Sequence, residues 1–221
     1  MINERKKKLL DFPLYCITAE NLSKGRDNIT VVGEMIKGGA KIIQYREKYR
    51  DIRVRYEECL KIREITKNAG VTFIINDNID IAMLVKPDGV HIGQDDLPIR
   101  EVRKLVGEEM IIGLSTHSPQ QAQKALKDGA DYIGVGPIYE THTKDNVCAP
   151  VGVEYLEYVV NNIDLPYTAI GGIKIHNMNE LLERGAKTIC MVSEIVGADN
   201  ISDTVKNILN DIKMQRRKNN G

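Results

Sequence analysis

Gly39-Ala40-Lys41-Ile42-Ile43, Gly89-Val90-His91-Ile92, Gly129-Ala130-Asp131-Tyr132-Ile133 and Gly185-Ala186-Lys187-Thr188-Ile189 repeat one phrase, a glycine followed by a short apolar or β-branched run. Glycine tolerates the left-handed conformation that ends a helix, and the run after it suits a parallel strand buried on both faces. Each phrase therefore reads as the join between a helix and the next strand. Such joins divide the chain into about eight strand–helix pairs. Strands are predicted over 14–18, 40–46, 71–75, 89–93, 110–114, 131–136, 167–171 and 187–192. Helices are predicted near 28–38, 52–69, 78–85, 98–106, 118–128, 152–162, 175–184 and 200–215. The expected fold is an α/β (β/α)8 TIM barrel. An open doubly wound sheet would carry a Gly-x-Gly-x-x-Gly turn after its first strand, and Thr18-Ala19-Glu20-Asn21 is no such turn.

At 221 residues, with no linker or low-complexity stretch, a single domain over 1–221 is expected, with frayed ends near 1–12 and 214–221. Lys plus Arg equal Asp plus Glu at 31 each, so no global field draws the chain to nucleic acid or an anionic membrane. An anion must be held by a local site. The charged ends, Arg5-Lys6-Lys7-Lys8 and Arg216-Arg217-Lys218, lack interleaved aromatics and read as solvated. Cys16, Cys59, Cys148 and Cys190 form no Cys-x-x-Cys pair, so reduced, mostly buried thiols are expected. With no long apolar stretch, the chain is read as cytoplasmic.

Barrel chemistry gathers at the carboxyl ends of the strands. Gln44-Tyr45-Arg46-Glu47-Lys48 closes strand 2, and the two-residue period turns Gln44, Arg46 and Lys48 to one side, converging two cations and an amide. Further round come Asn76 and Asp77, Gln94 and Asp96, Ser115 and His117, Thr141-His142-Thr143-Lys144, Gly171-Gly172, and Val192-Ser193. The opposite face offers mainly glycines.

Asp77 and Asp96 leave neighbouring strands, and two carboxylates brought together suit magnesium, which takes oxygen ligands and shares them with substrate phosphate. Taken singly, either reads more readily as a helix cap: Asp96 precedes Leu97-Pro98, and Asp77 lies beside Asn78. Asp95 could replace Asp96 in either role. Gly171-Gly172 before a helix resembles a backbone cradle for phosphate, to which Val192 and Ser193 could add an amide and a hydroxyl, although a tight turn alone would also call for glycine. Residues 137–151 are long for a strand-to-helix loop and read as a lid carrying Lys144. His91 is expected to be packed or hydrogen-bonded within its strand, and His176 to open a helix near the surface. Only His117 and His142 lie near the presumed mouth, and no nucleophilic triad is visible.

Taken together and in order, Gln44-Tyr45-Arg46-Glu47-Lys48, Ile75-Asn76-Asp77, Gly89-Val90-His91-Ile92-Gly93-Gln94-Asp95-Asp96, Gly136-Pro137-Ile138-Tyr139 with Thr141-His142-Thr143-Lys144, and Ile170-Gly171-Gly172-Ile173 resemble the thiamine phosphate synthase family. The resemblance runs from about Leu14 to Asp199. It implies a transferase of thiamine biosynthesis that joins hydroxymethylpyrimidine diphosphate to thiazole phosphate and releases pyrophosphate. Arg46, Lys48, Asn76 and Lys144 match positions that hold the pyrimidine diphosphate, within a motif that also includes Tyr45 and Glu47, and Gln44 and Ser115 lie nearer the pyrimidine. Asp77 and Asp96 match magnesium ligands, so Mg2+ is the implied cofactor. Thr141, His142, Thr143, Gly172, Val192 and Ser193 match the region that binds the thiazole phosphate. The implied partners are these two small molecules, with no nucleic acid or membrane, and no oligomeric state follows. Two departures stand out: Tyr45 replaces a smaller aliphatic residue, and Glu140 replaces a proline before Thr141.

By that resemblance the charges of Arg46, Lys48 and Lys144 would assist departure of pyrophosphate, with no protein nucleophile. The closest rival is a thiazole tautomerase-like paralogue, for which His117 would be the candidate acid/base and the diphosphate set would have no task. A Schiff-base aldolase or isomerase using Lys48 or Lys144, and a noncatalytic phosphate-binding module, are more distant rivals.

Overall fold

Side-chain alternation along short strands decides which residues enter a closed barrel and which face the surrounding helices. In the computed structural model, which describes residues 6, 7, 10–141, 143 and 148–219, eight strands carry this alternation. They are β1 (Leu14–Ile17), β2 (Ile42–Tyr45), β3 (Thr72–Asn76), β4 (Gly89–Ile92), β5 (Ile111–Thr116), β6 (Tyr132–Val135), β7 (Tyr167–Ile170) and β8 (Ile189–Met191). Paired in chain order, all parallel, they close when β8 meets β1 through Leu14 opposite Ile189 and Cys16 opposite Met191. The structure has the (β/α)8 TIM-barrel architecture expected from the glycine-led phrases.

The helices are α1 (Asn28–Lys37), α2 (Ile52–Ala69), α3 (Ile79–Val85), α4 (Ile99–Val106), α5 (Pro119–Asp128), α6 (Gly152–Asn162), α7 (Met178–Glu183), α8 (Ser193–Val196) and α9 (Ile201–Asn219). The short α8 and a 3-10 turn at Glu20–Leu22 are additions to the sequence pattern, and α9 runs past its expected end. None of the described helices is long and apolar enough to cross a membrane.

Outward residues such as Ile43, Phe73, Ile75, Val90, Ile112 and Ile133 pack with the helix faces in the larger apolar cluster, each at 0% exposure. Burying each such side chain contributes about 1.5–3 kcal/mol. Inward residues form a second cluster of Leu10, Tyr15, Ile17, Ile42, Ile74, Ile111, Tyr132 and Cys190. Cys16, Cys59 and Cys190 are buried free thiols, as expected, whereas Cys148 is exposed.

Three of the four phrase glycines behave as read: Gly39, Gly129 and Gly185 have φ of 101, 89 and 90°. Gly89 does not. It is the first residue of β4, and Lys86, with φ 53°, caps α3 in its place. The demand at Gly89 is steric, because an added Cβ would stand 2.7 Å from the Ile111 side chain.

At the amino end of β6, Asp131 is buried with two cations, one of them Lys6, which corrects the reading of that lysine as solvated. One carboxylate oxygen accepts from the Ile112 amide at 2.8 Å and from Arg103 Nη2 at 2.6 Å, while Lys6 Nζ lies 3.1 Å from the other. Removing one member of such a pair strands the other charges. Asp131→Ala is expected to cost about 3–5 kcal/mol of stability, read from the urea midpoint; a loss below about 1 kcal/mol would contradict this view of the amino end of the barrel.

Candidate active site

A cleft of about 660 Å3 opens at the carboxyl ends of the strands and reaches down among inward side chains, including Tyr15, Gln44, His91, Ser115, Thr168, Ile170 and Cys190. Its floor is polar where barrel interiors are usually aliphatic. The carboxamide nitrogen of Gln44 donates to Tyr15 Oη at 2.8 Å, and His91 contacts Tyr132 Oη and Ser115 Oγ at 2.8 and 2.9 Å. The expectation that His91 is packed and hydrogen-bonded is met. The buried Thr168 hydroxyl has no hydrogen-bond partner among the described residues, and it faces this cleft.

One wall comes from β2 to β4. Arg46 and Asn76 line the cleft. The Arg46 amide donates to Thr18 Oγ1 at 2.9 Å, which ties the turn after β2 to the end of β1. On the adjoining rim Lys48 Nζ lies 3.3 Å from Asp77 Oδ2. Burial, and next the charge of Asp96, push the Asp77 carboxyl above its usual range, against the opposing pull of Lys48. Asp96 accepts from the Gly93 amide at 2.6 Å through Oδ2.

Neither aspartate is a helix cap, which corrects the capping alternative. The N-cap of α4 is Pro98, and that of α3 is Asn78, neither with a side-chain capping bond. Asp77 instead sits in the left-handed region at φ 59°, a conformation that Asp and Asn tolerate better than most residues. That backbone turn leaves the carboxylate beside Lys48 and Asp96. Asp95 is exposed beside Asp96 on the loop after β4.

The opposite wall comes from β6 to β8: Thr141, Thr143, Gly172, Val192 and Ser193 all line the cleft. The two threonine hydroxyls are 3.1 Å apart. The start of the long loop after β6 is stitched to β7, with Ile138 N–H donating to Ile170 O at 2.9 Å and Tyr139 N–H to Gly171 O at 3.0 Å. That approach explains Gly171-Gly172. Both have positive φ, and a Cβ on Gly172 would stand 2.4 Å from the Glu140 carbonyl oxygen. Glu140, which departs from the proline of the resembled family, is exposed. His142 and Lys144 lie outside the described residues.

Lys174 was not singled out from the sequence. It lines the same wall, with Nζ 2.8 Å from Ser193 Oγ and 3.1 Å from Glu194 Oε2, and its backbone N–H donates to Asn177 Oδ1 at 2.7 Å. Nothing in the spacing of a lysine in a turn distinguishes it. Its position follows from the neighbouring ends of β7 and β8. His176 also lines the cleft but precedes α7, which starts at Met178, so it does not open that helix. His117 lies at the mouth, with Nδ1 donating to the Gly136 carbonyl.

Two members of the Gln44–Lys48 motif point elsewhere. The Tyr45 hydroxyl donates to Glu58 Oε2 at 2.6 Å on the helix side of β2, and burial with the Glu58 charge raises the phenol's pKa. Glu47 accepts from the Glu20 amide at 3.0 Å, its own pKa raised by burial. Their side chains brace the turn from behind while Gln44 and Arg46 face the cleft.

A family model described as thiamine monophosphate synthase matches residues 14–195. The thiamine-phosphate synthase of Pelotomaculum thermopropionicum is 63% identical over 198 residues, 90% of this chain and 91% of the relative. That of Caldicellulosiruptor saccharolyticus is 47% identical over 210 residues, 95% of each chain. Among solved structures, thiamine phosphate pyrophosphorylase from Pyrococcus furiosus superposes with a TM-score of 0.83 at 31% identity, covering 93% of this chain and 98% of its own. A native KDPGal structure at 13% identity and TM-score 0.65 shares the fold alone. With a matched model spanning most of its length and relatives this similar, the chain belongs to the thiamine monophosphate synthase family.

Proposed function

We propose that the protein is a thiamine-phosphate synthase, condensing 4-amino-2-methyl-5-(diphosphooxymethyl)pyrimidine with 4-methyl-5-(2-phosphooxyethyl)thiazole to give thiamine phosphate and pyrophosphate. The observation that carries this reading is the division of one mouth into two facing polar walls. Arg46 and Asn76, with Lys48 on the rim beside them, lie on one side, and Thr141, Thr143, Gly172, Val192 and Ser193 lie on the other. A substrate pair that brings a diphosphate and a separate phosphate to one reaction needs two such anchorages with room for two rings between them.

In this assignment Arg46, Lys48 and Asn76 hold the diphosphate, and Gln44 and Ser115 meet the pyrimidine from the floor. Tyr45 and Glu47 support the same subsite from behind the β2 turn. By the resemblance, Lys144 is assigned to the diphosphate and His142 to the thiazole phosphate. Lys174 adds a cation to that wall, released from Glu194 when phosphate binds.

The methylene carbon–oxygen bond breaks with its electron pair leaving on the diphosphate, whose growing charge is stabilised by Arg46 and Lys48. The electron-rich aminopyrimidine carries the resulting cation. The thiazole nitrogen, oriented through its anchored phosphate, then gives its lone pair to form the carbon–nitrogen bond. No protein group need form a covalent bond or accept a proton.

Asp77 and Asp96 fit a magnesium ion. Burial, and next the charge of Asp96, raise the Asp77 pKa despite Lys48, so the site lacks compensating positive charge. No group of three or more His, Cys, Asp or Glu suited to a metal occurs among the described residues, but magnesium commonly takes one or two carboxylates and completes its shell with water and substrate phosphate. When bound, it would supply further positive charge to the diphosphate. Asp77 and Asp96 would orient it, while Lys48 is released toward the substrate.

Incubation with both substrates, assayed for pyrophosphate and thiamine phosphate together, is expected to yield the two in equal amounts; no release of pyrophosphate would overturn the assignment. Arg46→Ala is expected to lower kcat by about a hundredfold or more, the usual cost of losing one charge-stabilising contact, with the melting transition kept. A near-normal kcat would remove Arg46 from this role. A folded-state pKa above the unfolded value of about 3.9 means that ionising Asp77 costs stability as pH rises through the raised value, and that the cost persists at neutral pH. Asp77→Asn is therefore expected to melt no lower than the wild type at pH 7.5 in EDTA, yet to lose the melting-temperature increase given by Mg2+. A variant that melts lower in EDTA, or still responds to Mg2+, would contradict the electrostatic assignment.

A further inference from the structure

Five side chains from β1, β2, β4, β5 and β6 form one line of hydrogen bonds across the barrel interior. From Gln44 Nε2 it runs to Tyr15 Oη at 2.8 Å, on to Tyr132 Oη at 2.8 Å, to His91 Nδ1 at 2.8 Å, and from His91 Nε2 to Ser115 Oγ at 2.9 Å. Both ends, Gln44 and Ser115, line the cleft. A hydroxyl has one hydrogen to give, and a neutral imidazole has one N–H and one lone pair, so a direction set at one end passes to the other. With the Gln44 amide donating, Tyr15 gives its hydrogen to Tyr132 and Tyr132 gives its own to His91 Nδ1. The imidazole then carries its proton on Nε2 and donates to Ser115 Oγ. Burial raises the pKa of both phenols, which keeps their hydrogens in place through neutral pH. Ser115 retains its own hydrogen, and Gln44 its carbonyl oxygen, for whatever ring enters.

The packing leaves these groups little room to rearrange. The Tyr15 and Tyr132 ring centroids are 6.1 Å apart, and those of His91 and Tyr132 are 5.4 Å apart. A Cβ at Gly113 would stand 2.2 Å from the Tyr132 ring and 2.6 Å from His91 Nδ1. Glycine there makes space for the rings at their hydrogen-bonding distance.

We propose that Tyr15, Tyr132 and His91 are positioning residues that act as one directed line, presenting Ser115 as donor and Gln44 as acceptor to the bound ring and so selecting an aminopyrimidine over an oxopyrimidine of the same shape. An amino group offers an N–H to the Gln44 carbonyl oxygen, while a ring nitrogen offers its lone pair to Ser115. The oxo ring in its lactam form presents a carbonyl oxygen where the amino ring presents that N–H. Accepting it would require the whole line to turn over, with the Gln44 amide flipped and the His91 proton moved between nitrogens. Discrimination is then a property of the line as a whole. This inference rests on the synthase reading above, and it adds the groups that determine which pyrimidine is taken.

The test uses Tyr15→Phe and Tyr132→Phe, each removing one hydroxyl from the line, with kcat/KM measured for the amino and the oxo pyrimidine diphosphates and the His91 tautomer read from nitrogen-15 spectra. The wild type is expected to prefer the amino substrate by at least about a hundredfold. Each variant should lower that preference by about tenfold or more. The wild-type His91 is expected to carry its proton on Nε2, and Tyr132→Phe to give a mixture of tautomers. An unchanged preference in both variants, or a wild-type His91 protonated on Nδ1, would overturn the proposal. If Tyr132→Phe fails to fold, Tyr15→Phe and the wild-type spectrum decide. Failure of the wild type to turn over the amino substrate would refute the synthase reading and the proposed selection, while the tautomer still shows whether the line is directed.

Discussion

Closure of eight parallel strands into a ring imposes one constraint on everything else: alternate residues of every strand must enter the same interior, and that interior must be filled. Here the amino-terminal part is filled by Leu10, Ile42, Ile74 and Ile111, and the part toward the mouth by tyrosine, histidine, glutamine and serine. Polar groups so deeply placed must pair with one another or with a ligand, since each left unpaired costs about 1–3 kcal/mol. The line from Gln44 to Ser115 meets that requirement. The buried, unpaired Thr168 hydroxyl beside the cleft is a group left for water or substrate.

The same closure separates charge. Strands β2 to β4 and β6 to β8 lie on opposite arcs of the ring, so side chains after them form facing walls. Arg46 and Asn76, with Lys48 on the adjoining rim, share with Thr141, Thr143, Lys174 and Ser193 a cleft of about 660 Å3. The aspartate pair at the edge of the first wall has the reverse character. Burial, and next the charge of Asp96, hold the Asp77 carboxyl above its usual range, and a bound cation would offset both. The proposed metal role and stability thus oppose each other at Asp77, as is common at sites that must bind charge.

The fold was legible because strand period and helix-ending glycine are local signals, and the cleft-facing residues Gln44, Arg46, Asn76 and Ser115 follow from the same period once the strand ends are known. Gly89 misled because its need for glycine comes from Ile111 on the next strand, a contact that no local pattern records. Asp77 and Asp96 looked like caps because acidic residues before a helix usually are, whereas the left-handed backbone at Asp77 turns its side chain to Lys48 and Asp96. Nothing local in the sequence marks Tyr15 or Tyr132. Their hydrogen bond joins positions separated by 117 residues, and only the barrel's closure brings them together. Lys174 escaped notice for the same reason, being defined by Ser193 on the neighbouring strand's end.

In the proposed reaction diphosphate departs from the β2–β4 wall while the acceptor's phosphate stays on the β6–β8 wall. A crystal structure of the protein with Mg2+, pyrophosphate and thiamine phosphate tests it most directly. It should place pyrophosphate against Arg46, Lys48 and Asn76, with metal at Asp77 and Asp96, and the phosphate of thiamine phosphate against Thr141, Thr143 and Ser193. Pyrophosphate bound on the β6–β8 wall, or at the amino-terminal end of the barrel, would contradict it.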